Sequence, residues 1–415
     1  MKTRQDLVLP DHSEKVKVFE LAGDPDVSSA HLYMEAQICT PDSLRFVFHQ
    51  SAHAHGSDQN DPRHRYLLCD LENGGRVSPL TEETGATAAS VTPDGRAMYY
   101  FVNETRLGGG RLTLKRVNLD GTGRETVLVV DRQLAETGTY PSQIYPLSTI
   151  RSDGRRIAVS AFLGDGKTEG APWGLMVFDL EHPAVSVILQ GQTWCNLHPQ
   201  YCRSTDPVLM RDIQVQENHG NTCDAQGECV VLVSGDGADI HLIRDDGTNF
   251  RDFPWGRDGH EQCQGHQCWR GRSAWGITST CGQVGMRLIE SLPVPHAGHI
   301  GNRTPGGRRN DLSREVPKPQ YLHFQTDAAG RVMISDTCKD DDGGKVVIME
   351  LGEPGRDPFR NLQAIVHPRC TWEKDAHIHP FLSPDGTKGF FNSDESGVYR
   401  AYMITGLENV FSRRS

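Results

Sequence analysis

Short runs of alternating apolar and polar residues recur along the chain, each just after a turn rich in Asp and Gly. Pro41-Asp42 precedes LRFVF, Thr92-Pro93-Asp94-Gly95 precedes RAMYYFV, and Ser152-Asp153-Gly154 precedes RRIAVSAF. Thr205-Asp206-Pro207 precedes VLMRDI, Arg270-Gly271 precedes SAWGITS, the turn at 327–330 precedes RVMISD, and the turn at 383–386 precedes TKGFFNSD. A period of two places alternate side chains on opposite faces of a strand, and an Asp-Gly turn between two such runs is a hairpin connection. Further strand-like pieces follow the markers: TLKRVNLD, GLMVFDL, DIHLIRDDG and VVIMELG read as third strands. Helical periodicity is almost absent, residues 131–138 being the best short candidate.

The markers recur at intervals of about 50 to 65 residues, in the range of propeller-like repeats. Seven markers predict an all-β, seven-bladed β-propeller occupying residues 1–415 as one domain, its small antiparallel sheets arranged around a central channel. A pair of β-sandwiches is the competing architecture. Two stretches break the spacing, 218–227 (NHGNTCDAQG) and 296–318, and both read as long loops, where function tends to sit.

Composition narrows the functional classes. Forty-three Gly and 23 Pro fit a turn-rich β protein, and a net charge of −11 argues against a nucleic-acid partner, which needs clustered Lys and Arg. The chain has no run of about 18 apolar residues, and its start, MKTRQDLVLPDHSEK, lacks the apolar core of a signal peptide. The expectation is a soluble, cytoplasmic protein with no membrane partner. Eleven cysteines, an odd number in a long chain, do not suggest a full disulfide framework. Cys223 with Cys229 and Cys263 with Cys268 are the possible metal pairs, but neither has zinc-knuckle spacing, and most cysteines read as small buried hydrophobes.

Histidine placement carries the chemistry. His377 and His379 alternate just before the last marker; on a strand both rings would share a face and could share a divalent metal. His198, His266 and His323 hold equivalent positions before the fourth, fifth and sixth markers, so four adjacent blades would bring imidazoles to one end of the channel. His266, His377 and His379 are the expected metal ligands, leaving His198 as a base, since imidazole titrates near neutrality. His49, His53, His55 and His64, on the first blade and its loop, read as solvated.

The stretches NLHPQYCRSTDP, QGHQCWRG and HIHPFLSPDGTKGFFNSDESGVYRAYM resemble the oligogalacturonate lyases, seven-bladed propeller enzymes of pectin breakdown. The resemblance runs from the turn at Asp94 to the end of the chain. It implies a catalytic base at His198 and manganese ligation by His266, His377 and His379. Two positions depart from the family pattern. Lys374 stands where a glutamine ligand is expected, with Glu373, Asp375, Gln264 or Gln267 as substitutes, and the catalytic arginine falls near Gly174. Arg203, Arg270 or Arg272 could replace that arginine, and Arg203, Arg270 and His323 are the expected substrate-binding residues.

The implied reaction is β-elimination on an acidic oligosaccharide. The proton at C5 of a uronate is weakly acidic until a cation neutralises the adjacent carboxylate, which is the use of a divalent metal, Mn2+ by the resemblance. Two alternatives stand beside this reading: a carbohydrate-active enzyme for another sugar, and a non-catalytic binding propeller. A peptidase is disfavoured because no GxSxG elbow or second α/β domain follows the repeats.

Overall fold

Marker turns form the hairpins expected of them, and their chemistry recurs from blade to blade. Thr92 Oγ1 donates to Asp94 Oδ1 at 2.6 Å, Arg96 N–H donates to the same oxygen at 3.1 Å, and Ala97 N–H closes back onto Thr92 Oγ1 at 3.0 Å. Thr40 with Asp42 and Ser383 with Asp385 repeat the pattern, each hydroxyl donating at 2.5 Å. Gly95 adopts φ +68°, where a Cβ would lie 2.9 Å from Pro41 Cδ of the neighbouring blade, so the glycine permits both the turn and the blade contact.

The computed structural model describes residues 1–21, 26–53, 56–221, 223–229, 237–255, 261–282, 285–296, 308–373 and 376–411. Their strands build a seven-bladed β-propeller. Blade 1 carries Ser29–Ala30, Arg45–Gln50, Arg65–Asp70 and Arg76–Pro79 in chain order. Blade 2 runs from Ala86–Val91 to Glu125–Val130, blade 3 from Gln143–Ile150 to Ala184–Gly191, and blade 6 from Tyr321–Thr326 to Arg360–Val366. Blades 4 and 5 belong to one nine-stranded sheet. Their third and first strands, Ala238–Arg244 and Glu261–Trp269, are joined through a single pair, Ala238 with Cys263.

Blade 7 begins with Phe381–Leu382, Lys388–Ser393 and Arg400–Thr405, and it is finished by the start of the chain. Lys17–Glu20 pairs antiparallel with the Arg400–Thr405 strand, and Lys2–Thr3 pairs with Lys17–Glu20. The repeat count gave no hint of this closure, because residues 1–20 carry no marker turn.

Blades cover each other on both faces, so the middle strands of blade 3 are buried on both faces rather than alternating between core and solvent. Ile157, Ala158, Val159, Ala161 and Phe162 are all fully buried, as are Leu175, Met176 and Phe178 on the next strand. The third strands fall where expected, but residues 131–138 form turns and no helix. Residues 208–211 of VLMRDI also turn, so the second strand of blade 4 starts only at Asp212. Among the described residues the only α-helix is the four-residue Lys339–Asp342.

First strands line the channel. At the marker-turn mouth a cavity of about 220 Å³ is bounded by Pro41, Pro93, Ser152, Thr205, Arg272, Ala328 and Pro384, one residue from each blade. His49 and His64, expected in solvent, are buried and pack edge-on against each other and Tyr66. His55 lies outside the described residues, and no side-chain placement is described for His53.

Arg4 clasps the closing strands to blade 7. Its guanidinium pairs with Glu395 through both terminal nitrogens, and Tyr402 Oη donates to the same carboxylate at 2.7 Å. The Arg4 hydrogen bond holds Glu395 below its ordinary value. A depressed carboxyl contributes stability above its unfolded pKa, near 4.3, and loses it as pH falls. Arg4→Ala is expected to cost about 1.5–3 kcal/mol in denaturant unfolding at pH 7. The gap from wild type should narrow as the pH drops below about 4; a gap independent of pH would show that Glu395 is not the partner that matters.

Candidate metal centre and base

The histidines gather where the first strands enter the channel, at the mouth opposite the marker turns. His323 lies on Tyr321–Thr326 and His266 on Glu261–Trp269, while His198 and His379 each sit two residues before the first strand of their blade. Both of these precede proline, which bars the residue before it from the right-handed helical region. Both take the left-handed conformation, with φ 46° at His198 and 43° at His379. His377 and His379 therefore converge through a bend in the backbone, not through the alternation of a strand.

His323, His377 and His379 each offer a ring nitrogen within 4.8 Å of the others. His379 is fully buried, His323 nearly so, and His377 half-buried. Asp336 orients His323: Oδ2 lies 2.8 Å from Nδ1, and Oδ1 accepts the His323 backbone N–H at 2.7 Å. A carboxylate behind one ring nitrogen fixes the tautomer and presents the other nitrogen outward, as metal-binding histidines require. Burial drives His323 well below the ordinary imidazole range, which favours the neutral donor. Three imidazoles with a carboxylate behind one of them suit a borderline divalent ion with positions left for oxygen ligands.

This trio differs from the expected one. His323, expected to touch substrate, stands in the close set; His266 packs its ring on His323 with centroids 4.4 Å apart and lies outside the set. Lys374, which stands where the glutamine ligand is expected, and Asp375, one of its proposed substitutes, lie outside the described residues. Gln264 is engaged by Ser279, whose Oγ donates to Gln264 Oε1 at 3.0 Å.

Beside the trio sits a second group that sequence reasoning only half found. His198 Nδ1 is 3.0 Å from Glu35 Oε2, and Nε2 is 3.0 Å from Tyr145 Oη. Glu35 is 3% exposed; burial raises its pKa while His198 pulls it down. Tyr33 links the two groups, its ring 5.0 Å from His198 and 4.8 Å from His379 between centroids. Glu35 and Tyr33 come from residues 31–36, a non-repetitive turn that crosses the channel from blade 1. Gln325 Nε2 of blade 6 donates to its Met34 carbonyl at 2.6 Å. No marker turn or histidine motif flags this segment; an acidic residue in an otherwise apolar HLYMEA run was the available signal.

Arg203 and Arg270 lie toward the marker turns. Arg270 follows His266 by four positions along the chain, about 13 Å at strand rise. Arg270 is 3% exposed and fully engaged: Nη1 donates to Glu290 at 2.5 Å, Nε to the Gly330 carbonyl at 3.2 Å, and Nη2 to the Gly352 carbonyl. It joins blades 5 and 6, which removes it from the substrate-binding role expected for it. Arg203 lines the cavity at the marker-turn mouth, and Gly174 lies on the third strand of blade 3.

No protein-family model matches the sequence, and no curated protein matches it. Among solved structures, an oligogalacturonate lyase in complex with manganese superposes with a TM-score of 0.67 over 96% of this chain and 95% of its own, at 20% identity. The chain has the propeller fold of that lyase. An oligogalacturonate lyase from Vibrio parahaemolyticus gives the same TM-score at 18% identity, covering 98% and 97%. The β-propeller domain of the trilobed protease from Pyrococcus furiosus matches at 0.51 and 10% identity over 91% and 95%. The described residues contain no helix long and apolar enough to cross a membrane.

The structural role of Arg270 has a measurable consequence. Arg270→Ala would leave Glu290 buried without its cation, held among the described residues by Asn310 Nδ2 and Gly355 N–H. A loss of about 3–5 kcal/mol is expected by chemical denaturation. Divalent-metal affinity of the folded fraction should be unchanged; a selective loss of ligand binding at full stability would restore the substrate role.

Proposed function

We propose that the protein is a lyase that cleaves acidic, uronate-containing oligosaccharides by metal-assisted β-elimination, with oligogalacturonates as the first substrates to test. The observation that carries this reading is the pairing of two groups at one channel mouth: a three-imidazole cluster fit for a divalent ion, and a carboxylate-oriented histidine beside it. A divalent ion bound there, Mn2+ by likeness to the manganese-bound lyase, would supply positive charge for a substrate carboxylate and its enolate-like form. His323, His377 and His379 would hold it, with His266 packed against His323.

The protein's own part is proton transfer. With Glu35 ionised, the proton of the His198 ring sits on Nδ1, and Nε2 presents its lone pair toward the site. Tyr145 Oη occupies that nitrogen in the structure, and its phenol is kept protonated because burial raises its pKa. A substrate C5–H would reach Nε2 as Tyr145 gives way, and Nε2 would take the proton. The C5 electron pair would form the C4–C5 double bond, and the C4–O bond would break, its pair leaving with the sugar oxygen, which takes a proton from solvent. A binding platform has no use for a buried, charge-bearing His–Glu pair, whose desolvation costs several kcal/mol. That disfavours the non-catalytic alternative.

The test is the conjugated-uronate absorbance that β-elimination creates, measured on several oligouronides with and without chelator and with Mn2+ restored. Activity should vanish with chelator and return with metal. His198→Ala should lower kcat by about 10²- to 10⁴-fold with metal binding intact. Asp336→Asn should weaken metal affinity about 10- to 100-fold. Full activity in His198→Ala would remove that residue as base; metal-loaded protein inert on every uronide would end the lyase reading.

A further inference from the structure

Three cysteines outside this site converge in space though not in sequence. Cys195 precedes the first strand of blade 4, and Cys223 and Cys229 face each other across an isolated antiparallel bridge in the loop after its second strand. Their three Sγ atoms all lie within 4.8 Å of one another, and Cys223 Sγ is 3.5 Å from Cys229 Sγ. Thiolates at 2.3 Å from a tetrahedral zinc stand about 3.8 Å apart, close to that separation.

The surroundings are apolar, with one polar donor. Cys195 and Cys223 are buried in a cluster that includes Trp173, Trp194 and Leu197. Asn221, 4% exposed, donates from Nδ2 to Cys195 Sγ at 3.4 Å, and its Oδ1 has no hydrogen-bond partner among the described residues. Between the paired cysteines, Asp224 Oδ1 accepts Gln226 N–H and Glu228 N–H at 2.9 and 3.0 Å, shaping a tight knuckle. The spacing of five between Cys223 and Cys229 concealed it, since the third sulfur comes from 28 residues upstream of Cys223.

We propose that Cys195, Cys223 and Cys229 bind one Zn2+ ion as thiolates, forming a structural metal site separate from the histidine centre. Bound there, zinc ties the 219–229 loop to the segment that carries Asn196 and His198. The same loop already docks on blade 3, where Trp173 Nε1 donates to the Gly227 carbonyl at 3.3 Å and Gln143 Nε2 to the Gln226 carbonyl at 2.5 Å. The metal would fix the approach to His198 without touching substrate.

Full-length protein purified under reductant is analysed for metal content as wild type, Cys223→Ser and His377→Ala. Wild type and His377→Ala should retain one zinc that Cys223→Ser lacks. Co2+ loaded in place of zinc should give a sulfur-to-metal charge-transfer band, absent in Cys223→Ser. If Cys223→Ser does not fold, wild type alone decides through peptide-mapped alkylation. Cys195, Cys223 and Cys229 should resist iodoacetamide together and become reactive together when a chelator removes zinc. Equal zinc in wild type and Cys223→Ser, no charge-transfer band in wild type, chelator-independent alkylation, or a Cys223–Cys229 disulfide in the reduced preparation would each overturn the site.

Discussion

The ring has to close, and the way it closes determines what fills its centre. Lys17–Glu20 supplies the fourth strand of blade 7, so the chain must return from the outer edge of that blade to the axis to begin blade 1. It does so under tension from several polar anchors. Arg400 Nη1 donates to the Val27 carbonyl at 2.7 Å, His31 N–H donates to Asn392 Oδ1 at 2.8 Å, and His31 Nε2 lies 2.9 Å from the Tyr402 carbonyl. Once His31 is fixed, the next residues have no sheet to join until Cys39 bridges Phe46, and they cross the channel. Tyr33 and Glu35 reach the histidines because the closure delivers them there.

That delivery makes the Glu35–His198 contact possible between blades that are far apart in sequence. A carboxylate 3% exposed is costly to bury, and breaking such a pair from one side costs about 3–5 kcal/mol in other proteins. The pair is thus a poor device for stability, which apolar side chains of the same size would serve better. Its value lies in orientation: a carboxylate on Nδ1 fixes the tautomer and the direction of Nε2. Asp336 does the same for His323, so both halves of the candidate site use one physical device, a buried carboxylate behind an imidazole.

Much of this was legible in the chain because turn chemistry is local. The Thr-Pro-Asp-Gly and Ser-Pro-Asp-Gly turns announce their own hydrogen bonds, so blade count and third strands followed directly. The likeness of His198 and His379 in sequence also reflects a local rule, His before Pro at the entry to a first strand. What escaped was non-local. The closing strands have no repeat signature, Glu35 meets its partner 163 residues away, and Asp336 lies on the strand that pairs with that of His323. Arg270 was misjudged because sequence gives charge without direction, and its charge is spent on Glu290 and two carbonyls.

Both left-handed histidines show why the site could not be read as a simple strand pair. A non-glycine residue held in that region costs about 1–3 kcal/mol, and such strain persists only where surroundings impose it. At His379 the impositions are the full burial of the ring and the adjacent hydrogen bond from Asn392 N–H to the Ile378 carbonyl at 2.8 Å. At His198 it is the Glu35 contact on its ring. An extended backbone at either position would relieve the strain and turn the imidazole away from Tyr33, the ring that joins the two groups. The strain therefore serves convergence: it bends two equivalent entry segments, in blades 4 and 7, toward a common point that the regular geometry of the propeller would leave as empty channel.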